Sequence, residues 1–307
     1  MSRFGGQVSV EKLGRAGCSL QCFALFTEGE NSAGDLERFL AFYNAQIAID
    51  PRILPVERYS DVEKAEREGK VAALLTVENM GFAGGDAGAA AYLKKAGVKM
   101  ASLVWNTPNA FAFPNLVMRG DVPDFGARCA LGLTAAGREA VEAFNAQRII
   151  IDLSHISDGG AEEILALSSA PVVASHSNCR GVCDVSRNLT DGLIKKIADG
   201  GGAVGLNFCR AFVVEGAAER ERRGVPSDGE SACEWLLRHY RHLVNAGGED
   251  LPAIGSDFDG IPPYPELCDC LSVQKLFAYF YERGVGVRAL EKLARKNFLR
   301  VLKEVIG

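Results

Sequence analysis

Short apolar runs alternate with helical patterns along almost the whole sequence, and this alternation limits the fold more than any other feature. Seven runs predict β-strands, at 18–26, 71–78, 98–105, 148–154, 170–175, 202–208 and 252–256. Each run is continuously apolar, as parallel strands are when both faces of their sheet are covered. The sequence therefore predicts an α/β fold with a TIM-like (β/α)8 barrel, although a closed barrel of this type needs one strand more.

The segments between these runs carry helical periodicity. Helices are predicted at about 35–47, 61–68, 87–96, 135–146, 191–199, 229–246, 271–284 and 287–306. Thr134 and Thr190 stand directly before two of them, where a hydroxyl side chain can cap the first turn. The loops at 106–131 and 210–228 are long, and both follow strands on the side where β/α enzymes form their active sites.

Composition narrows the class of protein. The chain has 307 residues without a linker or a shift in composition, so we predict a single domain over 1–307. The net charge of -5 gives no reason to expect a nucleic acid or an anionic membrane as a partner. No apolar run reaches the roughly 20 residues that span a bilayer. Nine scattered cysteines are typical of reduced thiols in a cytoplasmic protein.

Two of the four histidines come directly after strand-like runs. His155 ends the run that starts at Ile149, and His176 ends the run that starts at Pro171. On neighbouring parallel strands, ~4.8 Å apart, their imidazoles could converge on one cation. Neutral imidazole suits Zn²⁺, so a metal site is one interpretation. The other is that each is a hydrogen-bonded loop histidine.

Carboxylates stand at equivalent positions. Glu78 closes the run 71–78, and a carboxylate there is costly to bury unless it is paired or binds a cation. Together with the two histidines, this position favours a role as a metal ligand. Asp257 and Asp259 close the last strand-like run, where one or both could be a ligand or a proton acceptor. Their glycine-rich setting also allows a plain turn.

The other two histidines have a different setting. His239 and His242 lie three residues apart in a basic helical stretch. Such a pair can bind metal, but no third ligand is near in the sequence. We therefore expect them to lie on a partly exposed helix face.

Four motifs occur in a fixed order along the chain. They are DLSHIS at 152–157, ASHSN at 174–178, SRNLTD at 186–191 and IGSDFDG at 254–260, and the segment GLTAAGRE at 132–139 fits with them. In their residues and spacing they resemble the membrane dipeptidase family, which includes renal dipeptidase and its bacterial relatives. The likeness runs in order from about Gly5 to the C-terminus, and four motifs at consistent spacing make it highly specific.

The resemblance implies an amidohydrolase-type barrel with two zinc ions that hydrolyses small dipeptides. Carried onto this sequence, it implies that Glu78 bridges both metals and that His155 and His176 bind the second. It also implies that Asp257 exchanges a proton with the attacking water and that Arg187 pairs with the substrate carboxylate. The chemistry agrees, because two Zn²⁺ ions acidify a shared water and a guanidinium is a natural bidentate partner for a carboxylate.

The sequence departs from the family pattern at two places. Family members start with a strand that ends in a His-x-Asp pair, which supplies the remaining ligands of the first zinc. No histidine precedes His155 here, so we expect the first strand and its ligands to be missing, and one zinc or none to be held. The second departure is Trp105, where renal-type enzymes place a histidine against the reacting carbonyl. We expect Trp105 and its neighbour Asn106 to contact the substrate.

The resulting hypothesis is a zinc-dependent dipeptidase whose first βα element is missing from this sequence. A misassigned start codon, with a longer and active true protein, is the interpretation that the retained site residues favour. Alternatively, the chain is a shortened homologue with an impaired metal site that binds a small carboxylate ligand. A related reaction, the hydrolysis of N-acyl amino acids, also stays open, because Arg187 requires only a carboxylate.

A missing first strand has a structural consequence. The runs 18–26 and 252–256 would leave unpaired backbone N–H and C=O groups on facing edges, and open edges invite association. We therefore expect a gapped barrel, or one closed by a segment of a neighbouring copy, and association into homo-oligomers.

Overall fold

Strands and helices alternate in the structure as they do in the sequence. A computed structural model describes residues 6–120, 122–223, 229, 231–262 and 264–307. All seven predicted strands are present, most of them shorter than their apolar runs. The strands of the described chain are β1 (Leu20–Phe26), β2 (Ile53–Pro55), β3 (Val71–Glu78), β4 (Met100–Ser102), β5 (Val117–Arg119), β6 (Val122–Asp124), β7 (Ile150–Asp152), β8 (Val173–Ala174), β9 (Ala203–Leu206) and β10 (Pro252–Ile254).

The main sheet is parallel and follows the order β1-β3-β4-β7-β8-β9-β10. Its longest pairing joins β1 to β3, from Leu20 opposite Ala72 to Phe26 opposite Glu78. Within the described residues no pairing joins β10 back to β1, so the curled sheet is open between its first and last strands. The prediction of an α/β fold of the barrel type is confirmed, and the curled sheet is open between the runs 18–26 and 252–256.

The main sheet of the described chain has eight strands, one more than the seven that the sequence predicted. The short strand β2 pairs in parallel with the start of β3, with Ile53 opposite Val71. It has only three residues and ends in Pro55, so its sequence lacks the length of a strand pattern. It lies beside β3 and does not bridge β10 and β1. The predicted loop 106–131 contains a further antiparallel hairpin, formed by β5 and β6.

Helices cover the sheet. They are α1 (Val10–Arg15), α2 (Ser32–Ile49), α3 (Tyr59–Arg67), α4 (Ala89–Lys95), α5 (Ala135–Gln147), α6 (Asp158–Leu167), α7 (Asp191–Asp199), α8 (Arg210–Val213), α9 (Ala217–Arg222), α10 (Ala232–Gly247), α11 (Val273–Glu282), α12 (Val287–Glu291) and α13 (Asn297–Ile306), with 3-10 turns at Met80–Ala83 and Cys270–Ser272 and a π-helical turn at Lys292–Lys296. Thr134 and Thr190 cap α5 and α7 as predicted. The sequence did not predict α1, α6, α8 and α9. In the described part of the chain, no helix has both the length and the apolar character that crossing a membrane requires.

Helix α13 closes the amino-terminal end of the curled sheet. Leu302 of this helix belongs to the same buried cluster as Leu74, which points into the barrel. Arg300 donates to the carbonyls of Gly202 and Asp250, directly before β9 and β10. The carboxyl ends of the strands, where β/α enzymes bind their ligands, lie at the opposite end of the sheet.

The segment before α1 is tied to the segment after β10. The backbone N–H of Gln7 donates to Asp259 Oδ1 at 2.7 Å, and its side-chain amide donates to the carbonyl of Ile261 at 2.9 Å. Cys270 N in turn donates to the carbonyl of Gln7 at 3.1 Å. The sequence allowed Asp259 to be either a ligand or a turn residue. In the structure it accepts a hydrogen bond from the segment before α1. These bonds hold the segment near the gap without adding a strand to the sheet.

Candidate metal centre

Three predicted ligand residues stand at the carboxyl ends of strands on one arc of the sheet. Glu78 is the last residue of β3, and His155 and His176 come shortly after β7 and β8. His155 has a φ of 73°, and Asn79 and Asp257 have φ values of 78° and 61°. Residues other than glycine rarely adopt this left-handed conformation. Backbone strain of this kind clusters at functional sites, which agrees with the position of these residues.

The three ligand side chains converge. His155 Nε2 lies 2.9 Å from Glu78 Oε1 and 2.8 Å from His176 Nε2, and His176 Nε2 lies 3.8 Å from the same Glu78 oxygen. Three atoms at these separations share an equidistant point about 2 Å from each, which matches the length of zinc–nitrogen and zinc–oxygen bonds. Within the described residues, this is the one group of three or more His, Cys, Asp or Glu side chains with the spacing of metal ligands.

The hydrogen bonds behind the two rings place a proton on each Nδ1, so Nε2 is the nitrogen that a neutral ring offers to a metal ion. Nδ1 of His155 donates to Asn106 Oδ1 at 2.8 Å. Nδ1 of His176 donates to Ser175 Oγ at 2.7 Å, because the hydroxyl proton of Ser175 goes to Asp152 Oδ2 at 2.5 Å. In the neutral form, each ring presents the lone pair of its Nε2 to the other ring and to an oxygen of Glu78. A cation is the group that fits among three converging lone pairs.

Asp152 supports this arrangement from inside the barrel. Its Oδ1 accepts the backbone N–H groups of Ser154 and Ser175, both at 2.9 Å, and its Oδ2 accepts the Ser175 hydroxyl. Asp152 is only 7% exposed, so these donors take the place of water around its carboxylate. Ser154 Oγ also accepts the backbone N–H of His176 at 3.0 Å. The sequence interpretation missed Asp152 and Ser175 as functional residues, although both lie inside the motifs that contain the histidines.

His155 is neutral at neutral pH. Burial lowers the pKa of His155 well below 6.5, and the nearby Arg187 and His176 lower it further. Its contact with Glu78 is therefore not an ion pair between an imidazolium and a carboxylate. Neutral imidazole is the form that binds a metal ion, so His155 needs to release no proton for ligation.

Arg187 brings a buried cation to the site. It is 2% exposed, its guanidinium carbon lies 5.2 Å from the centroid of the Phe212 ring, and its Nη1 has no hydrogen-bond partner in the part of the chain that the structure describes. Burial lowers the pKa of Arg187, while the carboxylates of Asp257 and Glu78 act in the opposite direction. Because a guanidinium stays charged in proteins, a buried N–H without a partner fits an anionic ligand such as a carboxylate.

Asp257 follows β10 at the other side of the site. Asn207 Nδ2 donates to Asp257 Oδ2 at 3.1 Å and to the carbonyl of His176 at 3.2 Å, which connects the catalytic candidate to a ligand residue. Burial raises the pKa of Asp257, and Glu78 adds to this, whereas His176, Asn207 and Arg187 oppose it. A carboxyl group with a raised pKa can take up and return a proton near neutral pH. Asn207 was not identified from the sequence.

Trp105 and Asn106 lie next to the ligands. The ring centroid of Trp105 is 6.0 Å from that of His155 and 4.7 Å from that of Phe26. Asn106 uses its Oδ1 to fix the ring of His155. Contact of Trp105 and Asn106 with a substrate stays a prediction. The sequence predicts Phe26 only as part of an apolar strand.

The helix histidines lie outside the centre, and one of them differs from expectation. His239 is fully buried in α10, where its Nδ1 accepts the backbone N–H of Cys179 at 3.2 Å and its Nε2 donates to the carbonyl of Val213 at 2.9 Å. The prediction of a partly exposed face was wrong for His239, because backbone partners satisfy both ring nitrogens. His242 is partly exposed and contacts Asp191 at 2.6 Å.

The whole sequence is similar to one protein family. A model of the membrane dipeptidase family (peptidase family M19) matches residues 1–306. An uncharacterized protein encoded in the pqqA 5' region of Klebsiella pneumoniae is 35% identical over 253 residues, which cover 80% of this chain and 86% of that protein. An uncharacterized dipeptidase of Schizosaccharomyces pombe is 32% identical over 209 residues, which cover 67% of this chain and 46% of that protein.

Solved structures are similar over nearly the full chain. The dipeptidase AC, a metallo peptidase, has a TM-score of 0.88 and 26% identity, with 99% of this chain and 91% of that chain covered. A metallo peptidase from Rhodobacter sphaeroides has a TM-score of 0.86 and 25% identity, with 98% and 91% covered. It was solved with a phosphinate mimic of the dipeptide L-Ala-D-Ala. The similarity includes the strands that carry the three converging side chains.

Proposed function

The chain belongs to the membrane dipeptidase family, peptidase family M19, and from this premise we propose that it is a zinc-dependent enzyme that hydrolyses small dipeptides. The family is that of membrane dipeptidases, and the named relatives include a dipeptidase that is a metallo peptidase and an uncharacterized dipeptidase. Zinc as the metal and dipeptides as the substrates of this chain are the parts that we add. One observation carries the proposal: one ligand atom each of Glu78, His155 and His176 converges at the spacing of metal ligands.

Zinc suits these three side chains better than a harder cation. Zinc prefers imidazole nitrogen together with carboxylate oxygen, whereas magnesium and calcium prefer oxygen ligands alone. Three protein ligands are the usual number at a catalytic zinc site. The proposed stoichiometry is therefore one zinc per chain of the given sequence, where the family resemblance implies two. Bound zinc supplies an acidified water at neutral pH and polarises the scissile carbonyl.

Side chains of the protein hold the substrate and move the proton. Arg187 binds the terminal carboxylate of the dipeptide through the N–H groups that the protein leaves unused. Asp257 takes a proton from the attacking water and passes it to the leaving amine, which its raised pKa supports. Asn106 keeps the His155 ring in the orientation for ligation, and Trp105 lines the site beside it.

The setting of the enzyme is also part of the proposal. All nine cysteines are free thiols, which supports a cytoplasmic location. The open edges of β1 and β10 support association into homo-oligomers. A nucleic acid or a membrane is not among the proposed partners.

Two other functions would use the same arginine. A protein that only binds a small carboxylate needs Arg187 but no metal-activated water. A hydrolase of N-acyl amino acids needs the metal and Arg187, but no recognition of a free amino group. A dipeptidase differs from the binding protein because it turns its ligand over, and from the N-acyl hydrolase because its substrate carries a free amine.

Zinc content and a small substrate panel distinguish these functions. Zinc per chain is measured after dialysis against zinc-free buffer, and the same sample is assayed with Ala-Ala and with N-acetylalanine. One tightly bound zinc and hydrolysis of Ala-Ala are expected. Hydrolysis of N-acetylalanine alone would replace the dipeptide by the N-acyl substrate. Binding of alanine without turnover at any zinc concentration would identify a carboxylate-binding protein and overturn the proposal.

A further inference from the structure

Phe26 and Trp105 form an exposed aromatic surface at the mouth of the site, here called the aromatic wall. Phe26 is 38% exposed although it is a large apolar side chain. Its ring meets that of Trp105 edge-to-face, with centroids 4.7 Å apart and an interplanar angle of 62°. Aromatic pairs prefer this geometry, so the wall is preformed. Apolar surface that is preformed and exposed beside polar groups is typical of a ligand site.

The wall stands directly beside the metal ligands. Phe26 is opposite Glu78 in the last rung of the pairing between β1 and β3. Paired residues of neighbouring strands point to the same face of a sheet, so the Phe26 ring stands next to the Glu78 carboxylate. The hydroxyl of Thr107 donates to Glu28 Oε1 at 3.2 Å and ties the segment after Phe26 to the segment after Trp105.

In the order of the sheet, the strand of the wall precedes the three strands that carry the ligands, and Arg187 follows the last of these strands. Phe26 is on β1, the first strand of the sheet, whereas Arg187 follows β8 and lies over Phe212, which follows β9. An extended dipeptide spans about 7 Å. If its carboxylate pairs with Arg187, its peptide bond reaches the ligand group and its amino-terminal residue points toward the aromatic wall.

We infer that the aromatic wall binds an apolar side chain of the amino-terminal residue, so that the enzyme selects dipeptides that begin with residues such as leucine. This inference rests on the proposed function and specifies its substrate class. An apolar side chain loses water against the two rings, which is favourable. A charged side chain would lose its hydration there without gaining a partner on the rings.

A pair of substrate series tests the inference. The first series, Leu-Ala, Ala-Ala and Asp-Ala, varies the amino-terminal residue, and the second, Ala-Leu and Ala-Ala, varies the carboxy-terminal one. We expect kcat/KM for Leu-Ala to exceed that for Ala-Ala by about tenfold, and the Phe26→Ala variant to reduce this ratio to about twofold. The ratio of Ala-Leu to Ala-Ala should not change in the variant. Phe42→Ala, which removes a ring that is 57% exposed on α2, is the matched control and should keep both ratios.

The binding of dipeptide mimics, which are not turned over, is measured through the fluorescence of Trp105. The chain has two tryptophans, and Trp235 lies on α10 beneath Arg238, so Trp235→Phe leaves Trp105 as the sole reporter. Fluorescence titration with phosphinate dipeptide mimics should show tighter binding of the mimic with an amino-terminal leucine side chain than of the one with alanine. Loss of that difference in Phe26→Ala is expected.

The outcomes separate this inference from the proposed function. Hydrolysis of dipeptides with an unchanged Leu-Ala preference in Phe26→Ala would overturn the inference alone. A change confined to the carboxy-terminal series would also overturn it, because the wall would then serve the other residue. Failure of the wild-type protein to hydrolyse every dipeptide in both series would overturn the proposed function.

Discussion

His155 and His239 are both buried, and burial lowers the pKa of both, yet only one of them belongs to a metal centre. Both ring nitrogens of His239 have backbone partners, so its hydrogen bonding is complete within the protein. His155 has a partner for Nδ1, but its Nε2 faces the Nε2 of a second histidine, His176, and an oxygen of Glu78. Burial and a lowered pKa therefore do not distinguish the two. What distinguishes His155 from His239 is the balance of hydrogen-bond donors and acceptors around each ring.

This difference predicts opposite consequences for metal binding and stability. A ring with two satisfied nitrogens contributes to the stability of the fold without metal. A ring whose lone pair faces other lone pairs gains its partner only when a cation binds, so zinc should stabilise the folded protein by mass action.

The largest effect should follow the loss of a ligand. Glu78→Gln keeps the size of the side chain but removes the negative charge that two histidine nitrogens face. We expect tight zinc binding to be lost and kcat/KM for a dipeptide to fall by roughly a thousandfold or more, because the acidified water is no longer supplied. Zinc is measured by competition with a chromophoric chelator.

His239→Gln is the comparison for that experiment, because it changes a buried residue outside the centre. It should bind zinc as the wild type does, even though the fold is less stable. Equal loss of zinc in Glu78→Gln and His239→Gln would show that zinc binding reports only general damage to the fold, and the assignment of the centre to Glu78, His155 and His176 would fail.

The second effect concerns stability at low pH. In the unfolded chain His239 takes up a proton with a pKa near 6.5, whereas burial lowers the pKa of folded His239 to about 4. Between these values the unfolded state binds more protons, so the contribution of His239 to stability is present above pH 6.5 and is lost as the pH falls toward 4. The shift corresponds to about 3 kcal/mol.

Urea unfolding at pH 7, 5.5 and 4 measures this contribution. The free energy of unfolding of the wild type should exceed that of His239→Gln at pH 7, and the difference should shrink by about 3 kcal/mol by pH 4. The difference in the free energy of unfolding between the two proteins removes the effect of the carboxyl groups, which titrate in the same pH range. A constant difference across the three pH values would contradict the role given to His239.

The third effect concerns the support of a ligand by its neighbours. Ser175→Ala removes the acceptor of His176 Nδ1–H and frees the carboxylate of Asp152 from its hydroxyl partner. Loss of such an outer partner typically weakens metal affinity by about 10- to 100-fold, which is the expected change for zinc. Ser177→Ala is the matched control, since Ser177 is a buried serine two residues away that contacts Ser154 Oγ and, within the described residues, no histidine ring. Equal zinc affinity in the two variants would remove Ser175 from the centre.

The ligands could be predicted from the sequence, whereas their supporting residues could not. Glu78, His155 and His176 each end an apolar run, and the edge of a parallel sheet collects such ends without further information. The contact between Asp152 and Ser175 depends on how β7 and β8 pair, with Asp152 opposite Val173. That register is a tertiary property and no local pattern specifies it.

Two other features could not be predicted from the sequence, for related reasons. Phe26 belongs to an apolar run, so nothing in its sequence context shows that the open side of the sheet leaves its ring exposed. His239 lies in a basic stretch that is typical of an exposed helix, and its backbone partners come from segments 60 and 26 residues away. Contacts over such distances in sequence are what local patterns do not contain.

The smallest effect is expected at His242, three residues from His239 on the same helix. Its Nε2 lies 2.6 Å from Asp191 Oδ1, but the Asp191 side chain is 64% exposed, so water and salt screen the contact. His242→Ala should lower the free energy of unfolding by less than about 1 kcal/mol and leave zinc affinity unchanged. A loss as large as that of His239→Gln would mean that the two rings stabilise the helix as a unit. In that case the number of satisfied ring nitrogens would no longer explain why His239 matters more than His242.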